Sequence, residues 1–192
     1  MKILLIQAHP RLDSYCHSLA EAYYRGAKTA GHDVRVVELP RLNFEQYLMS
    51  GQKDKIELTE ELLDVQRLFL WADLLVFAYP TWWTAPPALL KLFLEIILAP
   101  SFAYKYHKSK GLIPRWDKLL RGKKARLIVT MDAPPLYYKL FIRDPGYKMM
   151  NASLRFCGVK PVQRTYFGSG KLSSGKVKRR WLEKAENLGE KE

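Results

Sequence analysis

Cysteine is scarce. Cys16 and Cys157 are the only two among 192 residues, and they stand far apart without metal-ligand spacing. That excludes a disulfide scaffold and a cysteine-built zinc module, no metal is expected, and a reducing, cytoplasmic setting is expected. Long apolar runs are also missing. The richest, after Pro87, is interrupted by Lys91 and Glu95, so no transmembrane segment is expected. Ile3–Ile6 is too short and too early for a signal-peptide core. Acid is in short supply: 19 Asp and Glu face 32 Lys and Arg, a net charge of +13 and a pI near 9.7. Such a surplus suits nucleic acid, a membrane surface or anionic small molecules. The cations are spread along the chain, densest at 171–180, and no nucleic-acid motif accompanies them. The expectation is a basic wet surface with no nucleic-acid partner, whose field favours an anionic small molecule.

Phosphate-loop signatures are absent too. The loop after the first apolar run, AHPRLDSYCHSL, is not a Gly-x-Gly-x-x-Gly turn. FGSGKL at 167–172 has Leu172 after its lysine, where a Mg²⁺-binding Ser or Thr should stand. Cys16 and His17 are neighbours, and neighbouring side chains diverge on a helix, so they make no nucleophile pair.

What is present is globular: 48% hydrophobic and 12% aromatic residues. At this length the chain is expected to form one domain over 1–192. Apolar runs at 2–8, 33–39, 74–78, 124–131 and 160–167 predict five strands. Helical spacing predicts helices from Ser14 to Gly31, from Thr59 to about Trp71, from Ala88 onward, and over 147–157 and 173–188. Loops are expected at 40–55, anchored by Phe44 and Tyr47, at 102–122 and at 132–146. Strict alternation of strand and helix predicts a three-layer, doubly wound parallel sheet of order 2-1-3-4-5.

The stretch LLVFAYPTWWTAPPALLKLFLEIIL organises the rest. It reads as a strand buried on both faces, a proline-stiffened aromatic loop, and a helix whose apolar residues are Leu89, Leu92, Phe93, Ile96 and Ile97. In such sheets ligands bind beyond the carboxyl ends of the strands. Trp82 and Trp83 fall there. They suit a planar cofactor, and they equally suit a core or a subunit interface. Ser14 is a good helix N-cap, and the first turn it opens can hold a phosphate. His9 and Arg11 could add charge or hydrogen bonds. Asp132 could be a base or a loop cap.

Taken together, AHPRLDSYCHSLAEA, ADLLVFAYPTWWTAPPALLKLFLE, FAYKY, FCGVKP and WLEKAENLG resemble the flavodoxin-like NAD(P)H:quinone oxidoreductases over nearly the whole chain. The resemblance implies a flavin cofactor, FMN or FAD, with NADH or NADPH as hydride donor. A quinone-like acceptor would take the electrons, through one pocket, in ping-pong fashion. It implies that His9, Ser14, Tyr15, Cys16 and Ser18 surround the flavin phosphate and ribityl chain. Pro80, Thr81, Trp82, Trp83 and Thr84 would lie along the ring. Thr130, Met131, Asp132 and Ala133 would form the third flavin loop, with Tyr138 as the catalytic residue, and Tyr104 and Tyr106 would close the substrate pocket. The chain departs from the pattern in three places. Thr130-Met131-Asp132-Ala133 replaces Thr-Thr-Gly-Gly, Asp144 replaces a histidine, and Cys16 replaces an asparagine. Members of the family pair their subunits at the site, and the surplus of aromatics on loops points the same way, so a homodimer is expected. The rival readings are a flavodoxin-like electron carrier, which the basic charge disfavours, and a regulatory flavoprotein subunit of a transporter.

Overall fold

Leu74–Pro80 has seven apolar residues, and all seven are buried. A strand buried on both faces must have neighbours on both edges and helices above and below. The computed structural model, which describes residues 1–44, 47, 57–107 and 115–192, supplies both. In chain order the main elements are β1 (Lys2–Gln7), α1 (Tyr15–Thr29), β2 (Asp33–Glu38), α2 (Glu60–Trp71), β3 (Leu74–Pro80) and α3 (Ala88–Ile97). There follow β4 (Tyr104–Tyr106), β5 (Trp116–Lys118), β6 (Lys124–Thr130), α4 (Pro135–Leu140), α5 (Pro145–Cys157), β7 (Val162–Phe167) and α6 (Gly175–Glu190).

The main sheet is parallel throughout, in the order β2-β1-β3-β6-β7, which is the order the sequence predicts. Leu5 pairs with Val36 on one side and Val76 on the other, while Phe77 pairs with Leu127. Side chains alternate between two cores. Ile3, Leu5, Val76 and Ile128 face α1 and α6, with Leu19, Tyr23 and Ala185. Leu4, Ile6, Phe77 and Leu127 face the other layer, with Phe69, Phe93, Met150 and Leu154. Each fully buried Leu or Phe there is worth about 2–3 kcal/mol of transfer free energy.

The helices obey local rules. Ser14 caps α1 by accepting the His17 N–H at 3.2 Å, Thr59 caps α2 through Leu62 N–H at 3.4 Å, and Ser174 caps α6 through Val177 N–H at 3.4 Å. α1 and α6 approach unusually closely because Gly26 has no side chain: a Cβ there would stand 2.0 Å from the Glu186 carbonyl oxygen.

Three local expectations differ from the fold. The apolar stripe of α3 is centred on Leu90, Phe93, Leu94, Ile96 and Ile97, with Leu89 and Leu92 only half-buried. The 102–122 connection contains a two-stranded antiparallel hairpin, with Tyr104 opposite Lys118 and Tyr106 opposite Trp116. The 132–146 loop contains α4, begun by Pro135 at its first turn, and the start of α5 at Pro145. Residues 45, 46 and 48–55 of the 40–55 loop, residue 56, and 108–114 of the connection lie outside the described residues. Among the described residues, no helix is long and apolar enough to cross a membrane.

Candidate functional site

β1, β3 and β6 end side by side, so the segments that follow them converge. Between them lies a cavity of 290 Å³ lined by His9, Ser14, Tyr15, Cys16, Pro80, Thr81, Trp82, Thr130, Met131, Asp132, Gly170, Lys171 and Lys178. Larger cavities lie elsewhere. One of 420 Å³ flanks the edge strand β2, and one of 370 Å³ lies between α3 and α5. Only the smaller cleft sits beyond the carboxyl ends of the central strands, where doubly wound sheets bind ligands.

The first wall is the β1–α1 loop. Ser14 is buried, and its hydroxyl is committed to the His17 N–H. The first turn of α1 therefore presents its opening N–H groups and the positive end of its dipole to the cleft. His9 Nδ1 accepts the Arg11 N–H at 2.9 Å. Burial holds the His9 pKa below the usual histidine range. Nδ1 also stands 3.0 Å from the Arg11 carbonyl oxygen, so the ring is tied to the Arg11 backbone, and its neutral form is favoured over the cation. Its ring meets Trp82 edge-on at 5.5 Å. Cys16 is buried, with its thiol pushed up to about 12 by desolvation and held against Thr130. It is no nucleophile. Ser18 is exposed on α1 and does not line the cavity.

The second wall is the tryptophan loop. Thr81 N–H bonds the Thr130 carbonyl at 2.7 Å, which fixes the loop to β6. Trp82 and Ala85 then exchange backbone hydrogen bonds of 2.9 and 3.0 Å across a tight turn. The two residues inside that turn, Trp83 and Thr84, are left-handed at φ 47° and 65°. For side chains of this size each such conformation costs about 1–3 kcal/mol and has to be held by its surroundings. Trp82 lines the cleft; Trp83 is 98% exposed and does not.

The third wall follows β6. Asp132 stands where the resemblance led us to look for glycine, and its carboxylate pairs with Lys171 Nζ at 2.9 Å. The loop after β7 packs directly on this segment, with Ser169 N–H on the Ala133 carbonyl and Gly170 N–H on that of Met131. Ala133 itself does not line the cavity. Lys178 of α6 completes the wall, where the Tyr15 hydroxyl donates to its carbonyl at 2.5 Å. Sequence reading rejected Lys171 as a phosphate-loop lysine and did not single out Lys178; the packing of the β7–α6 loop on Met131 and Ala133 places the first here, and that of α6 beside α1 the second.

Tyr138 is buried behind this wall rather than in the cleft. Its hydroxyl donates to the Thr84 carbonyl at 2.7 Å and accepts the Gly146 N–H at 3.0 Å. The one proton it could give is thus already used. Tyr104 and Tyr106 belong to an aromatic cluster with Trp116 and Phe156, at centroid distances of 4.6–6.3 Å. Tyr104 lines the cavity between α3 and α5, which shares no residue with the cleft.

The donor set fits a phosphorylated planar cofactor. A helix N-terminus, a neutral imidazole and two lysines suit the phosphate. Trp82 and the proline-fixed backbone give a flat apolar shelf, and Lys171 offsets the one carboxylate, Asp132, that would repel an anion. Among the described residues, no group of three or more His, Cys, Asp or Glu side chains could hold a metal ion.

Comparison with known proteins agrees with this geometry. The sequence profile of a family described as having the flavodoxin-like fold matches residues 1–190. An uncharacterized NAD(P)H oxidoreductase of Haemophilus influenzae is 27% identical over 191 residues, which cover 96% of this chain and 92% of that one. NAD(P)H dehydrogenase [quinone] 1 of Rattus norvegicus is 24% identical over 187 residues, covering 84% of this chain and 66% of the longer rat protein. Among solved structures, Smu.1420 of Streptococcus mutans superimposes with a TM-score of 0.83 at 27% identity, and the match covers 100% of both chains.

Proposed function

The chain belongs to the flavodoxin-like fold family, and on that premise we propose that it is a flavin-dependent NAD(P)H oxidoreductase reducing quinone-like acceptors. The observation that carries this reading is the cleft itself, where a capped helix N-terminus, Lys171, Lys178 and Trp82 converge beyond the carboxyl ends of β1, β3 and β6. The names of the relatives, NAD(P)H oxidoreductase and NAD(P)H dehydrogenase [quinone], support it.

When bound, flavin, as FMN or FAD, supplies the redox chemistry: it takes hydride from NADH or NADPH and gives two electrons to the acceptor. The protein supplies placement and electrostatics. The first turn of α1, His9 and Lys178 would hold the phosphate and the chain that follows it. Trp82, Pro80 and Thr81 would hold the ring and exclude water from it. Thr130, Met131 and Asp132 would bound the ring on the β6 side, and the Lys171 pair keeps Asp132 from adding an uncompensated negative charge. One cleft serves donor and acceptor in turn, so the kinetics are ping-pong.

Residues 1–192 act as one flavin-binding domain in the cytoplasm. The working form is a homodimer. In one chain Tyr104 and Tyr106 lie apart from the cleft, and Trp83 of the tryptophan loop and Leu136, Leu140 and Phe141 of the segment after β6 are 64–98% exposed. A two-fold partner would cover such side chains and bring its own tyrosines to the pocket.

The test is direct. The protein is titrated with FMN and FAD, and the complex is mixed with NADH or NADPH in a stopped-flow instrument. Binding tighter than about millimolar, bleaching of the flavin by the nucleotide, and recovery of its colour on adding a quinone are expected. No binding of either flavin sinks the reading. Sedimentation at micromolar concentration tests the dimer separately.

A further inference from the structure

Asp144 is one of the few buried charged residues, 5% exposed. It sits at the N-terminus of α5 in a left-handed conformation, φ 56°, immediately after Arg143 at φ 65°. Two consecutive left-handed residues with side chains need outside support. The support comes from β7. The Tyr166 hydroxyl donates to Asp144 Oδ1, and Arg164 Nε stands 3.0 Å from Oδ2. Arg164 is itself fixed by lying 3.7 Å over the Tyr147 ring, and Lys139 stands 5.0 Å from the centre of the Tyr166 ring. The Asp144 N–H returns to the Tyr138 carbonyl at 3.2 Å, and Tyr138 and Tyr166 meet edge-on at 5.9 Å. The charged and titratable groups around the carboxylate are therefore Tyr138 and Lys139 from α4, Arg164 and Tyr166 from β7, and Tyr79 from β3.

Two strained turns thus face each other, 83–84 and 143–144, and the Tyr138 hydroxyl lies between them. It accepts from Gly146, two residues past Asp144, and donates to Thr84. The site of Gly146 admits no larger residue, since a Cβ there would stand 2.8 Å from the Tyr138 hydroxyl and 3.2 Å from the Thr84 carbonyl. Burial, with the nearby Asp144 charge, raises the Tyr138 pKa, so the bond to Thr84 keeps its proton.

We propose that Asp144, Arg164 and Tyr166 are positioning residues that seat Tyr138, whose hydroxyl bolts the tryptophan loop to the first turn of α5 and so sets the shape of the cleft. Tyr138 acts as that bolt, not as a donor to the reacting atoms. The effect on the loop stands without a cofactor; the effect on affinity rests on the flavin reading above.

Hydrogen exchange in the cofactor-free protein tests the first part. Trp82 and Ala85 amides are bonded within the turn, and in Asp144→Asn and Tyr166→Phe they are expected to exchange at least tenfold faster. The Val76 amide, in the central strand, is expected to keep its wild-type rate. Tyr138→Phe is expected to do the same, and Asp144→Asn added to it to do no more, since both break one bolt. FMN titration tests the second part, with affinity falling severalfold in step with the exchange rates and the melting temperature of Tyr166→Phe nearly unchanged. Wild-type exchange at Trp82 and Ala85 in all three variants overturns the proposal, as does additivity in the double variant. If wild-type protein binds no flavin while the exchange pattern holds, the cofactor reading fails and the bolt stands.

Discussion

Two loops of this molecule do the same topological job by different means. Each leaves a parallel strand and enters a helix beside the cleft. The β1–α1 loop spans residues 8–14 and is built from local rules. A hydroxyl caps the helix three residues ahead, and His9 closes on Arg11 two residues away. The β6–α5 loop, 131–144, is built from distant partners. Tyr138 reaches Thr84, Asp144 reaches Arg164 and Tyr166, and Asp132 reaches Lys171. A locally coded wall should lose little when one residue changes. A wall held by long-range polar contacts should fail as a unit, because removing one partner leaves the others buried and unpaired.

The largest break of this comparison is Asp144→Ala. It strands the Tyr166 hydroxyl and Arg164, which is 31% exposed at its side chain and keeps some water. A loss of about 2–4 kcal/mol in urea unfolding is expected, toward the lower side for that reason. In a chain of this size that lowers the melting temperature by several degrees. A loss below about 0.5 kcal/mol would show that the network is decorative.

The tryptophans sharpen the contrast within one turn. Trp82 lines the cleft and meets His9; Trp83 is almost fully exposed. Trp82→Ala is expected to weaken flavin binding by roughly 1–1.5 kcal/mol, about tenfold, through loss of the ring contact. Trp83→Ala in monomeric protein should change stability by less than about 0.5 kcal/mol. Equal flavin affinity in wild type and Trp82→Ala would remove the aromatic shelf from the site.

The difference between the two loops also explains what could be read from the sequence. Strand order and the helix caps follow from apolar runs and cap residues a few positions apart, so LLVFA and Ser14 announced their roles, although the strand runs two residues past Ala78, to Pro80. The third wall did not. Pro134-Pro135 reads as a loop, yet Pro135 opens a short helix, because a proline at the first turn lacks only an N–H that would have no partner there. Asp144 reads as a lost histidine, because its partners Arg164 and Tyr166 lie about twenty residues on. Lys178 reads as part of a wet basic run, because nothing local says that α6 packs on α1 through Gly26, and Lys171 reads as the lysine of a failed phosphate loop, because nothing local says that its loop packs on Met131 and Ala133. Tyr138 was expected at the reacting ring from resemblance alone, and its hydroxyl proton goes to Thr84.

The local wall has its own test. Ser14→Ala deletes one cap bond, and about 1 kcal/mol of stability should go with it. Because the His17 N–H then opens to the cleft, anion affinity should hold or rise slightly. A loss as large as that of Asp144→Ala would mean that the first wall is also a cooperative unit.

A further prediction concerns Cys16, a group of the first wall whose environment is tertiary. Burial favours the neutral thiol and pushes its pKa from 9.0 to about 12. A pKa raised on folding means that the unfolded chain gives up its proton first. Stability from this source is therefore whole below about pH 9 and is lost as pH climbs toward 12. By pH 9.5 the loss is on the order of 1 kcal/mol, from linkage alone. Other buried groups, Cys157 among them with its thiol pushed up to about 11, fall in the same window, so the wild-type slope by itself assigns nothing. Cys16→Ala isolates the term. The variant should be less stable than wild type at pH 7, because it loses a buried sulfur, and the gap should narrow steadily between pH 9 and 10. Parallel curves across that range would place the Cys16 thiol in contact with water and leave the cleft wetter than its lining implies.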